Sequence, residues 1–474
     1  MSIRHITLSA TLLALSFQAP AITVESPGGL KQALGGDAST MTTLSVDGTI
    51  DASDLRFIAT GMPSLSNLDL SAAKIAAYSG KQLDTGLSYS LADCLPDYAL
   101  FGSTLSTVTL PRSLKSIGEG ALASTSLTAV EVPASVTVMG GSVFNGCDKL
   151  VSVTVAAPLT QLPDRAFYNC TSLVSVSLPS TILTVGERAF AGCSSLAGIE
   201  FPVSVTSIGD EAFSHSGLTS VDLSGCRSLS TVGERVFADN KSLTEVKLPT
   251  RLKSIGRAAF FNDVALTSIN IPDGVTAIPA YMLKGAAIPT IELGDEVSEI
   301  GPYAMTGMSQ VSQMHVPAAM TFIGDNAFEG WSSLNAIDAT HVSEVPTLGE
   351  NVWAGIDCSK VNLSVPKNLE QSFRTTPQWQ DFSILMSDLN TDMPAIDAMS
   401  PIRVTIEGQT LVVKAPDMID AVSVFDMKGL MIATVSGLDE TEAAIDVEAV
   451  PAGILLVKIV MSDSEQISAK VVKR

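Results

Sequence analysis

The chain has 474 residues, 46% of them hydrophobic, and a formal net charge of −21. That apolar content excludes a largely disordered protein, and the length leaves room for two or three domains with sizeable cores. So negative a balance repels phosphate backbones and anionic lipid heads, which excludes nucleic acid and polybasic membrane docking from the expected roles.

Residues 1–21 place Arg4 ahead of an apolar run from Ile6 to Phe17 and then Ala19-Pro20-Ala21. This order of charge, apolar stretch and small residues predicts a secretory signal peptide. Nothing later approaches the ~20 uninterrupted apolar residues that a membrane span needs. The expected location is therefore outside the cell or on its outer surface, with no transmembrane segment. Residues 22–94 read as an amino-terminal cap. Asp47-Gly48 predicts a strand-turn-strand, Ser53-Asp54 a helix start, and Leu65, Leu68 and Leu70 follow in leucine-rich spacing.

From residue 95 a unit of roughly 23 residues repeats twelve times. Its marker is a large apolar residue at 100, 122, 144, 167, 190, 213, 237, 260, 283, 305, 328 and 353, most often Phe. A period in this range means a solenoid, because one coil cannot bury its apolar side alone and stacking is compulsory. Each unit opens with an apolar triplet such as Leu173, Val176 and Leu178. The last two members point to one face of a short strand, so the residue between them points outward. A Gly or Pro slot follows, for example Gly186 or Pro163, and then an acidic residue in eight units. Since proline cannot take positive φ, the slot is read as the start of a helical turn whose amino terminus the carboxylate stabilises. Cys147, Cys170 and Cys193 each stand three residues after the marker. Stacking would hold their side chains parallel at about 4.8 Å, where a disulfide needs converging Cβ vectors, so buried free thiols are expected. Trp331 and Trp353 are expected inside, and Trp379 as a plug at the end of the stack.

The combination L-x-x-V-x-L-P, I-G-x-x-A-F and x-x-C resembles the BspA-like, or treponemal-type, leucine-rich repeats of bacterial surface proteins. The resemblance implies a β-rich leucine-rich-repeat solenoid with short helical turns over residues 95–380, capped at 22–94 by atypical repeats. It also implies adhesion to extracellular or host matrix proteins or to other cells; the alternative reading is a glycan-binding or structural component of the bacterial surface. Residues 381–401 have the acidic and Pro character of a linker. Residues 402–474 read as a small antiparallel β-sandwich. Through Phe425-Asp426-Met427-Lys428-Gly429, Val450-Pro451-Ala452-Gly453 and Lys470-Val471-Val472-Lys473, this segment resembles the sorting domains of type IX secretion cargo. That likeness implies contact with an export machinery. The tyrosine such domains carry after the P-x-G turn is replaced by Ile454-Leu455-Leu456.

The outward slot of the strands lines the concave side of such a solenoid and carries Thr109, Glu131, Thr154, Ser177, Glu200, Asp222, Lys247, Asn270, Glu292 and His315. Of these, Glu131, Glu200, Asp222, Lys247, Asn270, Glu292 and His315 form the candidate partner-docking strip. Glu200 and Asp222, expected on adjacent strands, have the separation of a retaining glycosidase pair, but adjacent strands produce it automatically and no aromatic platform flanks them. The sequence holds no nucleophile motif around its few histidines, no phosphate loop, and no C-x-x-C, HExxH or His cluster. A non-enzymatic protein without cofactor or bound metal is the expectation.

Overall fold

The computed structural model describes residues 21–386, 402–425, 431–447, 450, 453–462 and 466–473. Residues 1–20 of the expected signal peptide and 387–401 of the expected linker lie outside them, as does most of the Phe425–Gly429 and Val450–Gly453 motifs. The chain forms two compact units, Met1–Leu243 and Thr244–Arg474.

The first unit opens with a parallel sheet in the order Ile22–Val24, Thr43–Ile50, Asn67–Ile75, Thr107–Thr109. The turn expected at Asp47-Gly48 is not there, because the strand runs straight through it. Gly48 sits at φ 87, and a Cβ on it would lie 2.3 Å from the Val24 carbonyl oxygen. The glycine thus serves close approach of the neighbouring strand, not chain reversal. The helix Ala52–Gly61 starts close to the expected place. Asp51 caps it by accepting from the Ser53 N–H at 2.8 Å, and Asp54 answers by accepting from the Asp51 N–H at 3.1 Å. Asp54 also accepts from Gly28 at 2.8 Å and Leu30 at 2.9 Å, tying the helix Leu30–Leu34 to the same point. Burial raises the pKa of this carboxyl against the pull of those bonds.

Every marker residue is interior: eleven are fully buried and Trp353 is 4% exposed. In the first unit the phenylalanines form a column. Phe144 and Phe167 stack at 5.3 Å, Phe167 and Phe190 at 5.1 Å, Phe190 and Phe213 at 5.1 Å, and Phe213 and Phe237 at 5.5 Å. Two sets of parallel strands hold the coils in register. One joins Ala129–Val132, Ser152–Val155 and Ser175–Ser177. The other joins Gln161–Leu162, Thr184–Val185, Ser207–Ile208 and Thr231–Val232.

The turn before each marker differs from expectation. The residue two places after the Gly or Pro slot is left-handed in all twelve units, with φ between 50° and 62°, including Tyr98, Arg165, Arg188, Glu211 and Tyr281. One left-handed residue ends a helix, so the segment is no helical turn. Its N–H groups alternate instead between the same coil and the next. Ala189 donates to the Gly186 carbonyl at 3.3 Å, while Arg188, Phe190 and Gly192 donate to Asp210 at 2.9 Å, Ala212 at 2.8 Å and Ser214 at 2.9 Å. The acidic residue has a corresponding task. Asp97, Asp164 and Asp210 use Oδ1 to accept from the next coil's backbone N–H at Glu119, Glu187 and Glu234, at 2.8, 2.8 and 2.7 Å. The carboxylate therefore caps a neighbouring coil and not a helix dipole. The slot itself has ordinary φ, as expected, and is small because the coils touch there: a Cβ on Gly186 would lie 2.6 Å from the Asp164 nitrogen.

The six cysteines are free thiols. Cys170 donates to the Phe144 carbonyl at 3.0 Å and Cys193 to the Phe167 carbonyl at 3.1 Å, so the thiol satisfies the marker carbonyl one coil earlier. Burial pushes the Cys193 thiol up to about 12.

In the second unit the same coil plan continues through parallel strands Ala277–Ile278, Glu299–Ile300, Phe322–Ile323 and Thr347–Leu348, and through Gln313–His315, Ala336–Asp338, Asn362–Val365 and Ser383–Met386. The last of these lies within the stretch expected as linker, so the ladder runs past residue 380. Trp331 and Trp379 are fully buried. Each indole N–H finds a backbone acceptor, Met305 at 2.8 Å and Pro346 at 2.9 Å. Trp379 packs on Trp353, Phe373 and Phe382 at 5.3, 5.3 and 5.9 Å, an aromatic plug where the coils stop. The described residues between 402 and 473 include an antiparallel sheet in which the long strand Thr410–Phe425 pairs with Arg403–Glu407, Met431–Asp446 and Gly453–Met461. Alternate residues Leu455, Val457, Ile459 and Met461 face a core with Leu411, Val413, Val422 and Val424. This is the small β domain read from the sequence.

Candidate binding face

Each strand of the first ladder offers one side chain outward because its neighbours turn inward: Val130, Val132, Val153 and Val155 are buried, and Val176 and Leu178 half-buried. The structure leaves Thr109, Glu131, Thr154, Ser177, Glu200 and Asp222 exposed in the first unit, and Lys247, Asn270 and Glu292 exposed in the second, with His315 half-buried. Glu131, Thr154 and Ser177 are direct partners in register. Parallel strands at about 4.8 Å turn this slot into a row of closely spaced side chains.

Several of the candidates have partners of their own. Asp222 accepts from Ser224 through its backbone N–H at 2.9 Å and its hydroxyl at 2.6 Å. Lys247 pairs with Glu245 at 3.4 Å. Asn270 accepts from the Leu248 N–H at 2.7 Å and donates to the Leu248 carbonyl at 3.0 Å, replacing a missing stretch of backbone ladder.

Two of the expected strands do not form. Residues 197–201, carrying Glu200, and 289–293, carrying Glu292, lie outside every ladder strand. Glu200 and Asp222 are therefore not the adjacent-strand pair expected. Gly198 weakens the first segment, and Phe201 turns edge-on to Phe213 at 5.4 Å instead of filling a Leu position. In the second, Pro289 stands where Thr267 of the preceding coil donates to Thr244 at 3.0 Å, and proline has no N–H to repeat that bond. A cleft of about 270 Å³ opens, lined by Thr267, Ser268, Ile269, Asn270, Ile271, Thr290 and Glu292. The structure thus brings Asn270 and Glu292 together around one cleft.

His315 has a more elaborate setting. It is paired in register with Asp338, and its Nδ1 lies 3.5 Å from Asp338 Oδ2 while its Nε2 lies 3.6 Å from Asp295 Oδ1. These carboxylates, Asp338 foremost, raise the His315 pKa. For Asp338, burial works upward, but hydrogen bonding to His315 and Thr340 outweighs it and brings the carboxyl down to about 2. The His341 ring lies 5.6 Å from that of His315. One ligand atom from each of His315, Asp338 and His341 falls within 4.8 Å of the others. The sequence predicts no such grouping, because residues 315, 338 and 341 look unrelated in linear spacing. The available signal was the period itself: 315 and 338 are 23 apart, one coil.

Among the described residues no helix is long and apolar enough to cross a membrane. A model of the BspA type leucine rich repeat region matches the chain over residues 88–181, 160–287 and 253–377. A domain of unknown function, DUF8694, matches residues 389–473. No curated protein matches. Among solved structures, a leucine-rich repeat protein from Bacteroides ovatus is 21% identical, with a TM-score of 0.55, covering 73% of this chain and 87% of that one. At this identity the likeness is one of fold. A leucine rich cell surface protein from Faecalibacterium prausnitzii is 20% identical with a TM-score of 0.32, covering 58% of this chain and 86% of its own. The T. pallidum leucine rich repeat protein is 25% identical with a TM-score of 0.25, covering 48% of this chain and 83% of its own.

Proposed function

Because the chain belongs to the BspA-type leucine-rich repeat proteins, we propose that it is exported and binds extracellular protein partners, host matrix proteins among them, through the outward row of its coils. The observation that carries this reading is the outward slot within each unit, exposed at Thr109, Glu131, Thr154, Ser177, Glu200 and Asp222 in the first and at Lys247, Asn270 and Glu292 in the second, with Glu131, Thr154 and Ser177 held in register by parallel strands. Rigid, repeated side chains form an extended recognition surface at little cost in ordering entropy. The repeat fold is typically a scaffold for binding, and no catalytic family is among the matches. The docking residues are Glu131, Glu200, Asp222, Lys247, Asn270, Glu292 and His315, with Glu131, Glu200 and Glu292 the carboxylates free to meet a basic partner. Combined replacement of those three by Ala should weaken binding to immobilised matrix proteins about tenfold or more without changing the circular dichroism spectrum. Unaltered binding by the folded triple variant removes the row as the docking face.

A glycan is the second reading, favoured by the polar cleft around Asn270 and Glu292. A glycan array in which Asn270→Ala abolishes a signal would select it over protein adhesion. Residues 402–474 act in export or attachment in this proposal, and normal surface delivery of a chain lacking them would refute that part.

A further inference from the structure

We propose that His315, Asp338 and His341 form a zinc site on the outward face of the second unit, a role separate from docking through the carboxylate row. Zinc takes imidazole nitrogen and carboxylate oxygen at about 2.0–2.2 Å, which puts neighbouring donors of a tetrahedron about 3.4 Å apart. His315 Nδ1 and Asp338 Oδ2 are already separated by 3.5 Å, held there by the parallel register of strands Gln313–His315 and Ala336–Asp338. The third donor is His341: one ligand atom from each of the three residues lies within 4.8 Å of the others.

The surrounding hydrogen bonds assign a role to each remaining atom. Asp338 Oδ1 is occupied, accepting from the Thr340 N–H at 3.0 Å and from the Thr340 hydroxyl at 2.6 Å, so Oδ2, which faces His315 Nδ1, is the oxygen a metal would take in exchange for that contact. Thr340 has one hydroxyl proton and gives it to Asp338, so in its 3.1 Å contact with His341 Nδ1 it must accept. His341 therefore carries its proton on Nδ1, and Nε2 is the nitrogen with a free lone pair. His315 shows the complementary arrangement. Its Nε2 faces Asp295 at 3.6 Å, the outer carboxylate that commonly orients a metal-bound imidazole, and its Nδ1 is turned to Asp338. Two imidazoles and a carboxylate, each with an oriented outer partner, suit zinc and leave the fourth position to solvent.

The test is calorimetric titration of the full chain, freed of metal by a chelator, with zinc chloride. One equivalent should bind in the wild type. His315→Ala and His341→Ala should each lower the affinity at least tenfold, and Asp295→Asn about tenfold through lost orientation of His315. His215→Ala, in the other unit, should change nothing. His341 is exposed, so its replacement leaves the core intact and gives a folded variant. X-ray absorption of the loaded protein should show two imidazoles in the zinc shell. Failure of the wild type to take up zinc, or wild-type affinity in His341→Ala, overturns the proposal. Because matrix binding is read separately, the zinc site can fail while the docking row stands.

Discussion

Removing one ring from the column tests the stacked core directly. Phe190 is fully buried, with Phe167 and Phe213 stacked on its two faces at 5.1 Å each. Replacing a buried Phe by Ala costs about 3–5 kcal/mol, set by how far the site can collapse. Collapse is blocked here, since Thr184–Val185 is laddered to strands on both sides and the turn bonds to the next coil. Each stacked pair contributes about 0.5–1.5 kcal/mol beyond area burial, which places Phe190→Ala at the upper end, about 5 kcal/mol. Phe190→Leu keeps most of the apolar volume and loses the ring pairs, so about 1–2 kcal/mol is expected. Leucine occupies the same slot natively at Leu100 and Leu122. The assay is amide exchange of the full chain, because coil stacks need not unfold in one step. Protection of the Phe190 amide, which donates to Ala212 at 2.8 Å, should fall by about three and a half orders of magnitude in the Ala variant, at 1.4 kcal/mol per factor of ten. Val203→Ala, at a side chain 70% exposed, should stay within about 0.5 kcal/mol of wild type. Equal protection in Phe190→Ala and Val203→Ala would refute the claim that the column holds the coils together.

Two further outcomes follow from the same packing. Gly186→Ala would place a Cβ 2.6 Å from the Asp164 nitrogen and should destabilise by about 1–3 kcal/mol in denaturant titration, whereas Gly198→Ala meets nothing within 4 Å and should be neutral or stabilising by up to about 1 kcal/mol. Arg188 grips Glu211 at 2.6 and 3.0 Å and holds its carboxyl below the ordinary value of 4.5. A folded pKa below the unfolded one gives stability that is present above pH 4.5 and lost as pH falls through the folded value, so Glu211→Gln should cost up to about 1 kcal/mol at pH 7 in thermal unfolding and nothing once the wild-type carboxyl is protonated.

What the sequence determined by itself is whatever the period carries. Burial of every marker, the inward triplets, the free thiols and the outward slot all follow from stacking like upon like, a constraint each coil states again for its neighbours. The buried Trp379 plug was legible for the same reason, because a stack must end in a cap. What only the tertiary structure decided depends on contacts between coils that one coil's sequence does not show. The left-handed turn residue is Gly or Asn in only three units and Tyr, Arg, Glu, Ser or Ala in the other nine, types that give no local signal, and it is held there by hydrogen bonds to the next coil. Asp164 and Asp210 look like helix-dipole residues until the next coil's N–H is seen to lie on the carboxylate. Gly48 looks like a turn until Val24 is brought against it. Pro289 gives no local sign of its effect until the bond it cannot make is located in the preceding coil. His315, Asp338 and His341 converge for a related reason: parallel register converts a separation of one repeat into a side-by-side contact, and proximity of that kind belongs to the stack, not to the unit.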